Sequence, residues 1–548
     1  MRSYTQRVYA YHRSPDQDGD VVHHPVVVVG AGPVGLSAAA DLAGRDIPVV
    51  VLDDDNMVSV GSRAICWAKR TLEIFDRLGC GEPIVRKGVG WNTGKVFHRD
   101  ELVFQFDLLP EHGHHRPAFV NLQQYYVEDC LVERVSSLPA AEIRWLNKVV
   151  GVVPQADRVL LRIDTPDGDY ALTCDWLIAA DGARSPVRTL LGLEVEGQTF
   201  RDRFLIADIR MKSDFPPERW FWFDPPFHRN QSALLHRQAD DVWRIDFQLG
   251  WDADPEVEKR PERILPRLRA MLGDQTEFEI AWASVYTFQC CRMEDFRHGR
   301  VLFAGDAAHL VSPFGARGAN SGVQDADNLV WKLRLVLAGL APEQLLDTYD
   351  SERTAAADEN ITHSTRATDF ITPKSAVSRT FRNAVLDLAK RHPFARRLVN
   401  SGRLSVPAVL AESPLNTTDA DPFAGAMTPG TPAADAPVTG PGAKWFIEYL
   451  HSVFTLVTFG AAVPADAAAM LFRDPIRCRV VQVSPGAARS TADSQVCIGD
   501  SAGLLARRYD GRPGTCYLFR PDQHVCARWR TFDLAAVRAA IARATGNA

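Results

Sequence analysis

Two glycine-rich segments, each directly after a short apolar run, constrain the fold of this 548-residue chain most strongly. The first, Gly30-Ala31-Gly32-Pro33-Val34-Gly35, follows four consecutive valines at positions 26–29. Its first glycine allows a tight turn, its second lets a pyrophosphate approach the backbone, and its third lets the next helix pack against the strand. The order strand, turn, helix, strand over residues 25–52 predicts a βαβ unit that binds a dinucleotide.

The second segment indicates which dinucleotide. Gly305-Asp306-Ala307-Ala308-His309 follows the apolar run 301–304, and the chain continues through Pro313 to Gly318, Ala319 and Asn320. A flavin dinucleotide needs its ribityl chain and ring held as well as its pyrophosphate, so the two segments together predict FAD. Asp306 is expected to accept hydrogen bonds from ribityl hydroxyls, and Pro313 to begin a loop beside the ring. A helix starting near Asn320 would direct its N–H groups at the reduced, anionic ring.

An acidic residue ends the second predicted strand. Asp53 stands at the spacing expected for a contact with a ribose hydroxyl. Asp54 and Asp55 follow it, so a solvated turn is the alternative interpretation.

Composition excludes several classes of protein. The hydrophobic content of 46% and charged content of 24% are ordinary for a globular chain, and a net charge of −6 favours neither nucleic acid nor an anionic membrane as partner. The apolar runs are all shorter than a spanning helix, and the first twenty residues lack the apolar centre of a secretory signal. The ten cysteines include no Cys-x-x-Cys pair, which predicts free thiols in the cytoplasm.

The pattern along the chain predicts several units. Residues 1–24 form a polar arm, 25–200 and 290–400 an FAD-binding domain, and 200–290, rich in aromatic and β-branched residues, a sheet of their own. Helices are expected over 66–79, over 124–135, and from Asn320 onward. Residues 401–444, rich in Pro, Ala, Thr and Gly, are expected to be a linker, and 445–548 a C-terminal domain.

Further motifs carry a family resemblance. They are Arg63 in Ser62-Arg63-Ala64, Arg70-Thr71-Leu72-Glu73, Gln124 beside Gln123, and Asp181 in Asp181-Gly182-Ala183-Arg184-Ser185-Pro186. With the two glycine segments, they resemble the single-component (group A) flavoprotein aromatic hydroxylases, in the branch of phenol hydroxylase and 3-(3-hydroxyphenyl)propionate hydroxylase. The resemblance extends from residue 25 to about residue 545. It implies that Arg63, Gln124 and Asp181 contact FAD, with a one-residue error possible at Gln124.

The resemblance also implies a fold and a reaction. The fold is α/β, with a Rossmann-like FAD-binding domain interleaved with a β-sheet substrate domain, plus a thioredoxin-like C-terminal domain. The reaction uses NAD(P)H as a transient co-substrate and dioxygen to hydroxylate a phenolic compound, a phenolic acid being expected, through a flavin hydroperoxide. Two alternatives stay open: a tailoring hydroxylase or epoxidase of a larger polycyclic natural product, and a redox-inactive flavin-binding scaffold. A homodimer is among the states that the sequence allows.

Two departures from the family pattern bear on substrate chemistry. Many relatives carry Gly-Gln-Gly where this chain has Ala316-Arg317-Gly318. The Arg317 guanidinium is expected to bind an acidic substrate or offset charge on reduced flavin, with a solvent-facing side chain as the alternative. Ile65 stands where some phenol hydroxylases have a catalytic Asp, so the group that activates the substrate is not identified.

Pocket candidates come from the aromatic stretch. A phenol needs a base or hydrogen-bond acceptor near its hydroxyl. Tyr286 is the candidate for a contact with the substrate, and packing within the sheet is the alternative interpretation of this residue. The other candidates for the pocket lining are Trp220-Phe221-Trp222-Phe223, His236, Arg244 and Asp246. His309 is expected to support its loop rather than bind metal, and His112, His114 and His115 to lie in a surface loop. We therefore expect no metal site.

Overall fold

The computed structural model describes residues 4–61, 63–399, 404–486 and 494–548. Ser62 of the predicted arginine motif and the first residues of the expected linker lie outside these ranges.

The N-terminal third contains eleven strands and five helices among its described residues. They are β1 (Val22–Val29), α1 (Pro33–Ala43), β2 (Val49–Leu52), β3 (Cys66–Ala68), α2 (Lys69–Leu78), α3 (Gly81–Lys87), β4 (Val89–Trp91), β5 (Thr93–His98), β6 (Glu101–Asp107), β7 (Phe119–Asn121), α4 (Gln124–Ser136), β8 (Ala141–Arg144), β9 (Lys148–Pro154), β10 (Val159–Asp164), β11 (Tyr170–Ala179) and α5 (Pro186–Leu190).

The middle of the chain continues with β12 (Glu196–Arg210), β13 (Arg219–Phe223), β14 (Ser232–Arg237), β15 (Val242–Leu249), α6 (Pro255–Glu258), α7 (Pro261–Leu272), β16 (Glu279–Arg292), β17 (Arg297–His298), β18 (Val301–Phe303), β19 (His309–Leu310), α8 (Gly318–Leu337), α9 (Asp347–Ile371), α10 (Ala376–Ala389) and α11 (Pro393–Val399). The C-terminal part has β20 (Phe454–Phe459), α12 (Ala465–Arg473), β21 (Cys478–Ser484), β22 (Gln495–Gly499), α13 (Leu504–Arg508), β23 (Cys516–Phe519), β24 (Val525–Trp529) and α14 (Leu534–Ala544).

The first sheet carries both glycine-rich segments. Its strand order is β17-β18-β11-β1-β2-β8, and β1, β2, β8, β11 and β18 run parallel. Because a parallel sheet is covered on both faces, its strands are nearly continuous apolar runs, and the four valines of β1 are buried. Strands β1 and β18 are both neighbours of β11, so the two glycine segments leave the same edge of the sheet. This is the predicted Rossmann-like α/β arrangement.

The second sheet forms the wall opposite these segments. Its order is β19-β16-β12-β15-β14-β13-β5-β6. Six of the eight strands come from residues 196–310, and β5 and β6 come from residues 93–107, which the sequence pattern did not assign to this sheet. One face packs an apolar layer that includes Trp243, Ile245 and Phe247, together with Ile264 and Leu268 of α7. The other face turns toward the first sheet.

The predicted helix over 66–79 begins later than expected. Cys66–Ala68 form strand β3, which pairs with β7, and the helix starts at Lys69. Its predicted stop is confirmed, because Gly79 has φ of +87°, a left-handed conformation that favours glycine. The expected helix at Gln124 starts there, and the helix expected near Asn320 starts two residues earlier, at Gly318.

The C-terminal sheet has the order β22-β21-β20-β23-β24, with β20, β21 and β22 parallel and β23 and β24 antiparallel. The thioredoxin-like architecture stays a prediction that this mixed sheet supports. Residues 404–444, the expected linker, lack named helices and strands, yet Leu415, Ala436 and Val438 are buried and residues 432 and 439 make single bridges to the C-terminal sheet. All ten cysteines are free.

None of the helices among the described residues is long and apolar enough to cross a membrane.

Candidate functional site

A cleft of about 380 Å³ opens between the two large sheets. Predicted site residues that line it are Gly32, Pro33, Val34, Arg63, Gln124, Tyr286, Asp306, Pro313, Arg317, Gly318, Ala319 and Asn320. The predicted residues Gly30, Gly35, Asp53 and Asp181 are not among its lining residues, although Ala180 and Gly182, on either side of Asp181, are. The structure therefore brings residues that are almost 300 positions apart in the sequence into one site.

The first glycine segment has a separate geometric reason for each glycine. Gly30 has φ of +106°, and a Cβ there would lie 2.4 Å from the Ala180 carbonyl oxygen. At Gly35 a Cβ would lie 2.0 Å from the Gly30 oxygen, so this glycine permits close packing of α1 on β1. At Gly32 a Cβ would meet nothing within 4 Å, because the residue faces the open cleft. The backbone at Gly32 thus leaves room for a ligand to approach.

The Asp53 side chain holds the first glycine segment through a hydrogen bond to its backbone. Its Oδ2 accepts a 2.6 Å hydrogen bond from the Ala31 N–H, and its Oδ1 accepts one from the Asp55 N–H. Burial raises the pKa of the Asp53 carboxyl to about 6. The solvated-turn alternative therefore fits Asp54 and Asp55, which are exposed, but not Asp53. Its contact with a ribose stays a prediction.

The three residues assigned by resemblance surround the segment. Arg63 is exposed to the cleft, and Gln124 accepts a 3.0 Å hydrogen bond from the Ala64 N–H. Gln123 instead donates to the Ala239 carbonyl, so Gln124 is the glutamine that faces the cleft. Asp181 accepts a hydrogen bond from the Val187 N–H through Oδ2, whereas its Oδ1 is buried without a hydrogen-bond partner.

The second glycine segment is held from behind by a buried carboxylate. Asp325 accepts hydrogen bonds from the Gly305 N–H (2.9 Å), from His309 Nε2 (2.7 Å) and from Arg353 (2.6 Å). Burial alone would raise the pKa of Asp325, but the His309 and Arg353 side chains lower it. His309 is accordingly the expected support of its loop. Asp306 points the other way, into the cleft, where its exposed side chain is available to a ligand.

Helix α8 begins at the cleft and is anchored at its first turn. Asn320 Oδ1 accepts a hydrogen bond from the Ala68 N–H, and its Nδ2 donates to the Cys66 carbonyl, each at 2.8 Å. This side chain ties α8 to β3 instead of reaching into the cleft. Gly318 and Ala319 expose the positive end of a 20-residue helix to the site.

The second sheet contributes a polar wall. Neighbouring strands place Arg219, His236, Arg244 and Asp208 in one cross-strand row, with Asp246 in the row beside it. Arg244 donates to both carboxylate oxygens of Asp208 at 2.8 Å, a bidentate ion pair. Asp246 has no such pair: its Oδ1 is buried without a hydrogen-bond partner, and burial raises the pKa of its carboxyl to about 7. Burial also lowers the pKa of His236 well below its usual value.

The aromatic candidates divide between two faces. Tyr286 lies on the cleft side beside Phe288, and burial raises its pKa to about 12, so its hydroxyl stays protonated. Phe221 and Phe223 share this side of the sheet, whereas Trp220 and Trp222 pack in the apolar layer on the opposite face. None of these four residues lines the cleft itself, but Phe221 and Phe223 line the cavity that adjoins it.

Arg317 is buried and lines the cleft, which contradicts the solvent-facing alternative. Ala316 before it has φ of +51°, and a Cβ at Gly315 would lie 2.2 Å from the guanidinium of Arg317. Pro313 opens this turn as a short 3-10 helix at the cleft. The loop therefore turns the Arg317 side chain inward.

Sequence reasoning missed Arg219 and Asp208. Both are charged residues at inward positions of strands, and the alternation of polar and apolar residues was the signal that would have found them.

The structure contains no metal-binding group of three or more His, Cys, Asp or Glu within the described ranges. His115 stacks on Trp445 and His114 bonds Arg508, so the expected surface loop packs against the C-terminal part of the chain.

These residues fit FAD. Gly32 offers an open backbone face, the N-terminal ends of α1 and α8 meet at the cleft, and the Asp306 carboxylate reaches into it. The orphaned Oδ1 of Asp181 is a further polar atom near the same surface. Helix N-termini suit the pyrophosphate and an anionic ring, and a carboxylate suits ribityl hydroxyls.

Comparisons with known proteins support FAD as the cofactor. Residues 23–364 match the family model described as "FAD binding domain". The chain belongs to this family and is an FAD-dependent monooxygenase of the group A aromatic hydroxylases.

Proteins similar to this chain are monooxygenases and hydroxylases. The chain is 31% identical to 6-methylpretetramide 4-monooxygenase of Streptomyces rimosus, over 75% of this chain and 73% of that protein. It is 30% identical to 3-(3-hydroxy-phenyl)propionate/3-hydroxycinnamic acid hydroxylase of Escherichia coli (strain K12), over 70% and 69%. The crystal structure of the flavin-dependent monooxygenase PieE with FAD and substrate superposes with a TM-score of 0.81 at 22% identity, over 96% of this chain and all of that chain, which shows a shared fold.

Proposed function

We propose that this enzyme hydroxylates a phenolic aromatic compound, with NAD(P)H as electron donor and dioxygen as oxygen source. One observation carries the proposal: the cleft joins the FAD-binding segments to a polar wall in which the Asp246 carboxylate has an unpartnered buried oxygen. FAD supplies the redox and oxygen chemistry when bound. The residues of the chain supply binding, orientation and proton transfer.

Asp246 is the proposed proton acceptor. A phenol becomes more electron-rich as its hydroxyl loses a proton, and a general base works best when its pKa lies near the working pH. The pKa of about 7 at Asp246 meets this condition, and its carboxylate, which lines the cleft, is the group that would accept the proton. Ile65, at the position of the missing family carboxylate, lines the same cleft, so Asp246 would supply this group from another strand.

Three other residues receive proposed roles at the cleft. Arg317, held inward by its turn, is placed to attract an acidic substrate or to offset negative charge on the reduced cofactor. Tyr286 is placed to donate a hydrogen bond to substrate, since its hydroxyl stays protonated. Pro313 shapes the loop that would lie beside the flavin ring. Arg63, Gln124, Asp181 and Asp306 are the proposed FAD contacts, with Asp53 behind them.

A larger polycyclic substrate is the second candidate. Relatives of this chain include both phenolic hydroxylases and tailoring hydroxylases of polyketides. A second cavity beside the cleft, described below, favours a substrate longer than one ring.

The proposal is tested by oxidation of NADH or NADPH by the FAD-loaded enzyme in the presence of candidate substrates. The panel contains resorcinol, 3-(3-hydroxyphenyl)propionate and a hydroxylated anthraquinone. We expect at least one compound to stimulate oxidation and to yield a product with one additional oxygen atom. Failure of the whole panel to stimulate oxidation, with FAD bound, would contradict the proposal for phenolic substrates. The cytoplasmic location and the homodimer stay predictions.

A further inference from the structure

A second cavity of about 360 Å³ adjoins the cleft. Arg219, Phe314, Arg317 and Leu404 line both spaces and form the partition between them. The floor of the second cavity is apolar and largely aromatic, with Phe106, Phe221, Phe223 and Ile371. A ligand that crosses this partition would place one end at the polar wall of the cleft and its other end on an aromatic floor.

The lining of the second cavity is strongly cationic. It includes Lys95, Arg219, Arg317, Arg366 and Arg397, whereas no Asp or Glu is among its described lining residues. Lys95 is paired with Glu218 at 2.7 Å outside the lining. Arg366 and Arg397, both exposed at the rim, make neither a hydrogen bond nor an ion pair through their side chains with other described residues. The space therefore has an excess of positive charge.

Arg219 is the buried member of this set. It is 8% exposed, its Nη2 donates to the Phe314 carbonyl at 3.0 Å, and its Nε is buried without a hydrogen-bond partner. No carboxylate of the described residues lies within 4.0 Å of its guanidinium. Burial accordingly lowers the pKa of Arg219. A buried cation that makes no direct ion pair is unfavourable, and an anionic ligand would supply such a pair.

We propose that the second cavity receives the acidic end of an elongated aromatic substrate whose hydroxylated ring lies in the cleft. The apolar body of the substrate packs on Phe221, Phe223 and Phe314, and its carboxylate is bound by Arg219 and the rim arginines. This inference rests on the proposed function, because it names the substrate class for the same site. It favours an extended aromatic acid over a single-ring phenol.

The test uses two rigid phenols that differ only by the acid: 4′-hydroxybiphenyl-4-carboxylate and 4-phenylphenol. Isothermal titration calorimetry on the oxidised, FAD-loaded enzyme measures their affinities without turnover. We expect the acid to bind about tenfold more tightly than the neutral phenol, since charge-assisted hydrogen bonds are the stronger ones. Equal affinities, or tighter binding of the neutral phenol, would overturn the proposal.

Variants locate the bound acid. Ala367→Trp places an indole in the cavity from α9, and Ala355→Trp, on an exposed position of the same helix, is its matched control. The double variant Arg366→Gln/Arg397→Gln removes rim charge, and Arg379→Gln, an exposed arginine on α10 outside the lining, is the control. We expect Ala367→Trp to weaken binding of the acid at least tenfold, the rim variant to weaken it about fivefold, and both controls to leave it unchanged.

The outcomes separate this inference from the proposed function. Tight binding of the acid that Ala367→Trp abolishes, without hydroxylation of any phenol, would support the cavity and reject the proposed reaction. Hydroxylation of single-ring phenols, together with an affinity for the acid that Ala367→Trp leaves unchanged, would support the reaction and overturn the cavity assignment. Displacement of the acid by NADPH alone, with loss of NADPH affinity in Ala367→Trp, would identify a nucleotide phosphate as the anion and also overturn it.

Discussion

Two carboxylates in the cleft, Asp306 and Asp246, have different surroundings and different expected roles. Asp306 is exposed to the cleft between the two glycine segments, where a ligand reaches it. Asp246 stands in the opposite wall, with one oxygen buried and unpartnered. The first is expected to bind the cofactor and the second to act on the substrate.

Replacement of Asp306 tests its role in cofactor binding. Asp306→Ala should weaken FAD binding by roughly 1–3 kcal/mol for each lost hydrogen bond to a ribityl hydroxyl. The fold should persist, because Asp325, not Asp306, holds the loop. Fluorescence titration of the apoprotein with FAD gives the dissociation constant, and circular dichroism reports the fold. An unchanged dissociation constant would exclude the assigned contact.

Asp246 is tested by the pH dependence of turnover. The carboxyl must be ionised to accept a proton, so kcat/KM should rise with pH through about 7 in the wild type. Asp246→Asn should lower kcat/KM about 100-fold and remove this rise. Asp208→Asn keeps the Asp246 carboxylate but removes a charge that raises the pKa of Asp246, so the rise in kcat/KM should persist and move to lower pH.

The same residue makes a prediction about stability. Burial raises the pKa of Asp246 from an ordinary 3.8 to about 7, so the folded protein holds this proton more tightly than the unfolded chain. Its contribution to stability therefore falls as pH rises through this window. The Asn variant should gain in Tm over the wild type most at pH 8, and an equal difference at pH 4 and pH 8 would contradict the raised pKa.

Single residues were predictable where backbone chemistry dictated them. The glycines of the first segment and Asp306 follow from motif spacing, and Gln124 follows from the family resemblance. Arg219 and the unpartnered oxygen of Asp246 do not, because each depends on which strands become neighbours across residues 205–286, and that pairing is set by tertiary packing. The inward direction of the Arg317 side chain likewise depends on a turn with positive φ at Ala316. An alanine does not predict such a conformation, because positive φ is uncommon outside glycine.

At the scale of elements, the first glycine segment separates folding from binding. A Cβ at position 35 would clash with the Gly30 oxygen, whereas a Cβ at position 32 would point into open space. Gly35→Ala should therefore lower the Tm of the apoprotein by several degrees, since it forces α1 away from β1. Gly32→Ala should leave the apoprotein Tm unchanged but weaken FAD binding more than tenfold.

Thermal denaturation of both apoproteins and titration of both apoproteins with FAD measure this difference. An equal fall in Tm for the two variants would show that the geometry at position 32 is misassigned. Full FAD affinity in Gly32→Ala would show that no ligand approaches that backbone.

The periodicity of apolar residues predicted most helices and strands, but it did not predict the residues at which they begin and end. The parallel strands β1 and β18 were recognisable as continuous apolar runs, whereas β5 and β6, at residues 93–107, join a sheet formed mainly by residues 196–310. The region 66–68 lies in a strand instead of the expected helix, because it pairs with β7. In each case a long-range pairing overrides the local pattern.

At the scale of the whole molecule, a buried ion cluster joins the C-terminal part to α8 and α9. Arg520 donates to Glu352 at 2.6 Å and also pairs with Asp522, while Lys332 donates to Glu352 at 2.7 Å. Burial alone would raise the pKa of Glu352, but the Arg520 and Lys332 cations lower it. The cluster therefore stabilises the protein above the ordinary carboxyl pKa and loses this contribution as pH falls.

Removal of one partner should be costly. Arg520→Ala removes the arginine partner of the buried Asp522 carboxylate and leaves the buried Glu352 carboxylate with Lys332 alone, so we expect a loss of about 3–5 kcal/mol in the free energy of unfolding. Arg538→Ala, which breaks an exposed pair with Asp474, is the matched control and should have no measurable effect. Urea denaturation of the FAD-loaded protein compares them. Similar midpoints for the two variants would contradict the assigned role of the cluster.

We propose that the enzyme transfers one atom of dioxygen to an aromatic substrate held against the polar wall of the cleft. The most direct measurement is turnover of the best phenolic substrate with NAD(P)H under ¹⁸O₂, followed by mass spectrometry of the product. We expect one ¹⁸O atom in each product molecule and one NAD(P)H consumed for each product formed. Product that carries oxygen from water, or NAD(P)H consumption that yields only hydrogen peroxide, would contradict it.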